Sequence, residues 1–282
     1  MMSNISRRTF LKQATATTAA FASAPMFAAD SKKKIPIGVQ LYSVRKDCEK
    51  DLPGTLNAVG KIGYKAVEFA GYYGRDAKTL RKLLDDAGVK CCGTHTGIDT
   101  LLGEKLAKTV EFNQTIGNVN LIVPSLPDKY RKTKEDWQNT ADLFNEIAAK
   151  VKPQGMRVGY HNHGVEFTPM GGEIPWDTFF NRASKDVLIQ YDIGNAAHAG
   201  ADAPTYLKKF PGRVVSVHVK PYSKSNPNAL IGNDEMPWPE IFRLCENVSG
   251  VEWYVIEYER DNEPPLVSIE KLYKIMCEQG KC

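Results

Sequence analysis

The chain has 282 residues, 42% hydrophobic and 25% charged, with a net charge of +4. That is an ordinary globular composition, and the length suits one large domain or two small ones. Most of the charge excess sits on Arg7, Arg8 and Lys12, so nothing in the remainder calls for nucleic acid or an acidic membrane surface.

In chain order, SRRTFLKQ (6–13) opens an Ala/Thr-rich stretch that runs to about Ala29. A charged start, a mildly apolar middle and small residues at the end make a secretory leader. The paired Arg followed by Thr-Phe-Leu-Lys resembles the twin-arginine export signal. The expectation is an export signal over 1–29, a single barrel domain over 30–282, and a periplasmic or otherwise exported protein with no membrane span in its mature form.

After the leader, short apolar runs recur. They are IPIGVQLYS (35–43), KAVEF (65–69), KCCGTHTG (90–97), VNLIVPS (119–125), RVGYHNH (157–163), VLIQYDIG (187–194), VVSVHVK (214–220) and EWYVIEYE (252–259). Amphipathic helical patterns lie between them, as in Leu80, Leu83 and Leu84, then Ala141, Phe144, Ile147 and Ala148, then Ile241, Leu244 and Cys245. Gly88, Pro153 and Gly250 close those helices. Strand alternating with helix means parallel pairing, and eight such units in about 250 residues make a (β/α)8 TIM barrel. A doubly wound sheet is the alternative, but the first strand is followed by no G-x-G-x-x-G turn. Residues 223–239 read as a long βα loop after strand seven, of the kind that covers active sites. Of the six cysteines, Cys48, Cys91, Cys92 and Cys245 read as structural or incidental thiols, and export would permit a Cys277–Cys282 bridge.

Polar side chains tip these strands: Gln40 and Tyr42 on the first, Glu68 on the second, His95 on the third. His161 and His163 tip the fifth, Asp192 the sixth, His218 and Lys220 the seventh, Glu257 and Glu259 the eighth. In a barrel those ends form one mouth, where active sites are built. Nitrogen and carboxylate donors on four successive strands suit a divalent transition metal such as Mn, Zn, Co or Fe.

Those blocks carry a resemblance. GVQLYSVRK (38–46), YKAVEFAGYYGR (64–75), GYHNHGVEFT (159–168), QYDIGNAAHAGA (190–201), SVHVKPYSK (216–224), IGNDEMPWPEIFR (231–243) and WYVIEYER (253–260) occur in order. Together they resemble the sugar phosphate isomerase/epimerase family, the xylose isomerase-like barrels. The resemblance implies a metal held by strands five to eight, here by His161, Asp192, His218 and Glu257. His161 stands where relatives often carry a Glu, in the run His161-Asn162-His163, and His163 on the same face is the alternative ligand or a residue that orients substrate. A His bound through one nitrogen cannot act as the strand-five base of the two-carboxylate epimerases. The base must then be Glu257, His163, Glu166 or Lys220, with Gln40, Tyr42, Glu68, His95 and Asn162 left to hold substrate. Asn195, where several relatives carry a second His, argues against a multi-metal endonuclease.

The resemblance therefore implies a metal-dependent isomerase or epimerase of a sugar or keto-sugar working through an enediolate. With the same site, a lyase or hydratase of keto-glycosides is the alternative, and a non-catalytic sugar-binding barrel is the reading of another class. The expected partner is a small carbohydrate, not nucleic acid, with room for a homo-oligomer.

Overall fold

The structure, a computed structural model, describes residues 34–282; the expected leader lies outside the described residues. Eight strands run in chain order: β1 Ile37–Gln40, β2 Ala66–Phe69, β3 Lys90–His95, β4 Asn120–Val123, β5 Arg157–His161, β6 Val187–Asp192, β7 Val214–Val219 and β8 Trp253–Ile256. All pair in parallel, each with its sequence neighbours, and β8 closes on β1. Helices cover the outside: α1 Arg45–Ile62, α2 Ala77–Ala87, α3 Lys105–Thr115, α4 Lys134–Val151, α5 Pro175–Arg182, α6 Ile193–His198, α7 Ala203–Lys209, α8 Trp238–Leu244 and α9 Pro265–Glu278. The expected (β/α)8 barrel is what forms. Among the described residues no helix is long and apolar enough to cross a membrane.

Most strands are shorter than the apolar runs that announce them, because side chains near the strand ends start turns. The Gln40 side chain accepts from the Tyr42 N–H at 3.0 Å, and Leu41–Val44 winds into a 3-10 turn. Asp192 caps α6 by accepting from Asn195 N at 2.7 Å. Thr133 and Asp136 form a reciprocal capping box at the start of α4.

Alternation divides each strand. One side, with Val39, Val67, Leu121, Val158, Val217 and Ile256, packs with helix residues such as Leu56, Leu84, Phe144 and Leu272 in the large core. The other side faces the barrel axis, where Ala66, Cys92 and Val255 form a separate small cluster. Toward the C-terminal ends of the strands the interior turns polar: Gln40, Glu68, Gln190, Ser216 and His218 are all buried. The polar layer therefore starts inside the strands rather than only at their tips. It is tolerated because its members hydrogen-bond one another, as described below.

The long segment after β7 folds on itself. The Glu235 carboxylate accepts from Ser223 Oγ, Lys224 N and Ser225 N, while Asp234 accepts from Trp238 Nε1 at 2.8 Å and Tyr222 N at 3.3 Å. Those bonds seat it on the start of α8. Cys277 and Cys282 form a disulfide, and Cys48, Cys91, Cys92 and Cys245 are buried free thiols.

The interior is tight beside β5. A Cβ on Gly159 would lie 2.8 Å from Leu188 O and 2.9 Å from Ile122 Cδ1. Gly159→Ala should therefore destabilise the protein by about 1–3 kcal/mol, lowering the melting temperature by roughly 2–4 °C per kcal/mol. An unchanged melting curve would show that β5 and β6 can part without cost.

Candidate functional site

Gln190, on β6, is a buried side chain that faces four others. Its Nε2 donates to Glu68 Oε1 at 2.6 Å and to Ser216 Oγ at 2.9 Å. Its Oε1 lies 2.8 Å from His95 Nε2 and 2.9 Å from His161 Nδ1. Burial would raise the Glu68 carboxyl, but His95 and His218 override it and hold it well below the usual carboxylate range. An ionised carboxylate only accepts, so the Gln190 NH2 must face it. The Gln190 carbonyl then faces both rings, and each ring must donate to it. His161 thus carries its proton on Nδ1 and keeps the Nε2 lone pair. Burial first, then the neighbouring His218 and His95, keep that ring well below the ordinary histidine value.

His218 is set by the same carboxylate. Its Nε2 lies 2.6 Å from Glu68 Oε2, and its Nδ1 meets Glu257 Oε2 in a short contact. Burial works against its charge, but Glu257 and Glu68 raise the ring to about 10. Glu68 has room because β3 carries Gly93, whose Cβ would lie 2.5 Å from Glu68 Oε1.

Above this layer Asp192, His218 and Glu257 bring ligating atoms within 4.8 Å of one another, and His161 joins them through Asp192. Asp192 Oδ1 is taken by Asn195 N, but Oδ2 is buried with no hydrogen-bond partner. It lies 3.9 Å from His161 Nε2, and 3.8 Å from both His218 Nδ1 and Lys220 Nζ. Burial raises Asp192 to about 6, against the pull of Lys220. Metal–ligand bonds of about 2.0–2.2 Å put tetrahedral ligand atoms roughly 3.4 Å apart. The orphaned oxygen and its neighbours have nearly that spacing, and the donor set of two imidazoles and two carboxylates suits a divalent transition metal. The residues present therefore fit such an ion. A second cluster, His95 with His161 and His218, has ligating atoms within 4.8 Å of one another. His95, however, commits Nε2 to Gln190 and turns Nδ1 toward Gln40 Nε2 at 3.4 Å, which removes it from the ligand set.

The mouth opens into a cavity of about 370 Å³ lined by Gln40, Tyr42, His95, His161, His163, Asn195, Lys220, Glu257 and Glu259, with Ala70, Pro124 and Ser125. That is the lower end of the range for small-ligand sites, about 300–1,000 Å³. On one wall Lys220 Nζ donates to Glu257 Oε1 at 3.0 Å and to Glu259 Oε1 at 2.5 Å. Burial would lower the lysine, but Asp192, Glu257 and Glu259 hold it above its ordinary value. Burial lowers His163, whose ring stands 5.1 Å from that of His161.

A family model described as Xylose isomerase-like TIM barrel matches residues 56–276. The chain belongs to that family. The inosose dehydratase of Clostridium perfringens is 26% identical over 245 residues, 73% of this chain and 82% of the relative. A sugar phosphate isomerase/epimerase from Parabacteroides distasonis superposes with a TM-score of 0.75 at 22% identity, over 88% of this chain and 97% of that one. A probable 3-DHS dehydratase of Bacillus anthracis superposes with a TM-score of 0.66 at 12% identity, over 86% and 99%. The structural likenesses, at those identities, speak for the fold alone.

Within this xylose isomerase-like barrel, Gln40, Tyr42, His95, His161, His163, Lys220 and Glu257 all reach the cavity. Asp192 and His218 lie directly behind it. Three other residues singled out from sequence face elsewhere. Glu68 is 1% exposed beneath the histidines. Asn162 bonds both backbone groups of Asp192, fastening β5 to β6. Glu166 accepts from Tyr160 OH at 2.5 Å and from His163 N at 2.8 Å, which fixes the turn that presents His163. The long loop after β7 contributes none of the cavity-lining residues among those described, because Asp234 and Glu235 fold it over α8. Gln190 and Ser216 escaped the sequence reading. Gln190 lies two residues before Asp192, hence on the same strand face, and that spacing was the available signal.

Loss of an outer hydrogen-bond partner commonly weakens a metal site about 10–100-fold. Gln190→Leu should weaken metal binding by that factor in chelator competition, with the far-UV circular dichroism spectrum unchanged. Wild-type affinity in that variant would show that the Gln190 amide does not set the His161 tautomer.

Proposed function

We propose that the protein is a metal-dependent lyase that eliminates a leaving group from a neutral keto-sugar. The observation that carries this reading is the composition of the cavity wall. The strand-five ligand position holds an imidazole, so Glu257 does not face a second carboxylate across the substrate, as two-sided epimerisation would require. A single base and a separate proton donor suffice for elimination.

A divalent ion held by His161, Asp192, His218 and Glu257 would polarise the substrate ketone and the adjacent hydroxyl, acidifying the neighbouring C–H. His163 is the proton acceptor. Its ring lines the cavity, and its backbone N–H is pinned by Glu166, whereas His218 and Lys220 engage both oxygens of Glu257. Lys220 is the donor to the departing oxygen. The C–H electrons form the new C=C bond, the C–O bond breaks with its electron pair, and the alcohol or water leaves with the lysine proton. Asn195 offers its amide to a substrate hydroxyl, whereas Gln40 is committed at both ends to Glu68 and Tyr42 N.

Charge supports a neutral substrate. The lining carries no Arg, and Glu257 and Glu259 already hold Lys220. A phosphate would meet those carboxylates. The dehydratase name of the curated relatives agrees in reaction type. Isomerisation is the second reading, since an enediolate formed from the same ketone and its adjacent hydroxyl, returned a proton at its other carbon, yields an isomer.

His163→Gln should lower turnover by about 10²–10⁴-fold while substrate affinity changes little. In deuterated water the wild type should exchange the proton beside the ketone and release an unsaturated ketone, detectable by its absorbance. Near-normal turnover of His163→Gln would move the base to Glu257. A saturated isomer as the only product would replace elimination by isomerisation.

Export belongs to the same proposal. The Arg7-Arg8 pair supports it, and the Cys277–Cys282 disulfide suits an oxidising compartment. Arg7→Lys with Arg8→Lys should leave unprocessed protein in the cytoplasm in a fractionation experiment. Normal processing of the double variant would remove the export reading.

A further inference from the structure

A second cavity, of about 250 Å³, adjoins the first, and His95 lines both. It lies between the end of β3 and α3, walled by Tyr72, Thr96, Thr100, Thr109, Phe112 and Asn113, with the exposed Lys108 on its edge. Nothing in the elimination chemistry uses it.

Its wall is built with care. Tyr72 belongs to the AGYYG turn (70–74), in which Gly71 and Gly74 have φ of 140° and 70°. Tyr73 between them has φ 51°, the one positive-φ non-glycine among the described residues. A left-handed tyrosine is held only where its surroundings enforce it. Here the turn swings the Tyr72 ring against Phe112, with centroids 4.2 Å apart. Asn113 Nδ2 then donates to the Tyr72 hydroxyl at 3.2 Å. That asparagine is itself buried. It is locked by Thr94 Oγ1 and Asn118 Nδ2, which both donate to its Oδ1 at 2.9 Å, and by its own bond to Thr109 O at 2.8 Å. The aromatic pair is thus fixed in advance.

The threonines around it have committed their hydroxyl protons. Thr100 Oγ1 donates to Gly97 O at 2.7 Å, and Thr109 Oγ1 donates to Thr100 O at 2.8 Å. Thr96 Oγ1 pairs with Thr94 Oγ1 at 3.0 Å. With those protons engaged, the hollow offers aromatic faces, methyl groups and hydroxyl oxygens that can still accept, with the Lys108 ammonium at its edge.

We propose that this hollow is a second subsite and that it takes an aromatic group attached to the keto-sugar. The proposal rests on the elimination reading for the first cavity, and it names the leaving group: an aryl alcohol rather than water or a second sugar. A flat ring finds offset stacking on Tyr72 and Phe112, which a sugar ring with its hydroxyls spread around its edge does not make. Each ligand would then pass over His95, whose ring is fixed by its bond to Gln190.

The test is calorimetric binding to the metal-loaded protein of three probes: phenyl β-glucoside, methyl β-glucoside and cellobiose. Stacking and burial of one ring should make the phenyl compound bind at least about tenfold more tightly than the methyl compound, with cellobiose no better than methyl. Thr109→Phe, which fills the hollow, and Phe112→Ala, which removes half of the aromatic wall, should each erase the phenyl advantage and leave methyl binding unchanged. Equal binding of phenyl and methyl glucosides, no binding of either, a cellobiose advantage equal to that of phenyl, or equal loss for both probes in the two variants would overturn the subsite. Failure of the elimination reading looks different: no aryl keto-glycoside would yield an unsaturated product, while the phenyl preference in binding would persist.

Discussion

The site depends on the two unlike ends of one amide. The Gln190 NH2 group can only donate and its carbonyl can only accept, so a carboxylate at one end dictates donors at the other. Glu68 supplies the carboxylate, and His95 and His161 supply the donors. Rotating the amide by half a turn would set its carbonyl against Glu68 and its NH2 against two N–H groups. In a fully buried layer such mismatches cost far more than in water. The protonated nitrogens of two rings, His95 and His161, therefore follow from one side-chain orientation.

That polar hub shapes the barrel around it. A carboxylate, two amides and two imidazoles occupy space that branched apolar residues usually fill. Small residues make room: Gly93 lets Glu68 stand upright, and Gly159 lets β5 approach Leu188. With the axial apolar cluster reduced to Ala66, Cys92 and Val255, apolar stabilisation falls mainly to the shell between strands and helices. Disturbing that shell should cost stability, whereas disturbing the hub should first cost ligand geometry.

The alternation of apolar runs and amphipathic helices made the barrel legible from sequence, because period 2 and period 3.6 are local properties. Strand ends were less legible, since a side chain such as Gln40 can turn the chain before the apolar run is over. The approach of Asp192, His218 and Glu257, with His161 beside Asp192, could be read because each lies at the C-terminal end of a neighbouring strand. Gln190 could not be read as easily. Its meaning comes from register, which sets it opposite His161 on β5 and Ser216 on β7. Asn162 and Glu166 show the converse. They are neighbours of His161 in sequence, but the chain leaves the strand there, and their side chains turn to Asp192 and Tyr160 instead. The GYYG turn stood within a quoted block, yet only the backbone angle of Tyr73 and the bond to Asn113 give it a purpose.

On the proposed elimination reading, the imidazole at position 161 has an electrostatic consequence for the residues that would hold the metal. Asp192 and Glu257 together carry two negative charges, and neutral His161 adds none. A divalent ion would balance that set, with His218 neutral, and leave Lys220 to pair with Glu259. A carboxylate at 161 would leave one excess negative charge beside the carbon where an enolate develops. Like charges at such distances in a poorly solvated cavity repel by several kcal/mol at an effective dielectric of about 20. The histidine thus gives up a second base and in return removes an anion from beside the developing charge. Such a trade favours a reaction in which the proton leaves once and does not return from the opposite face.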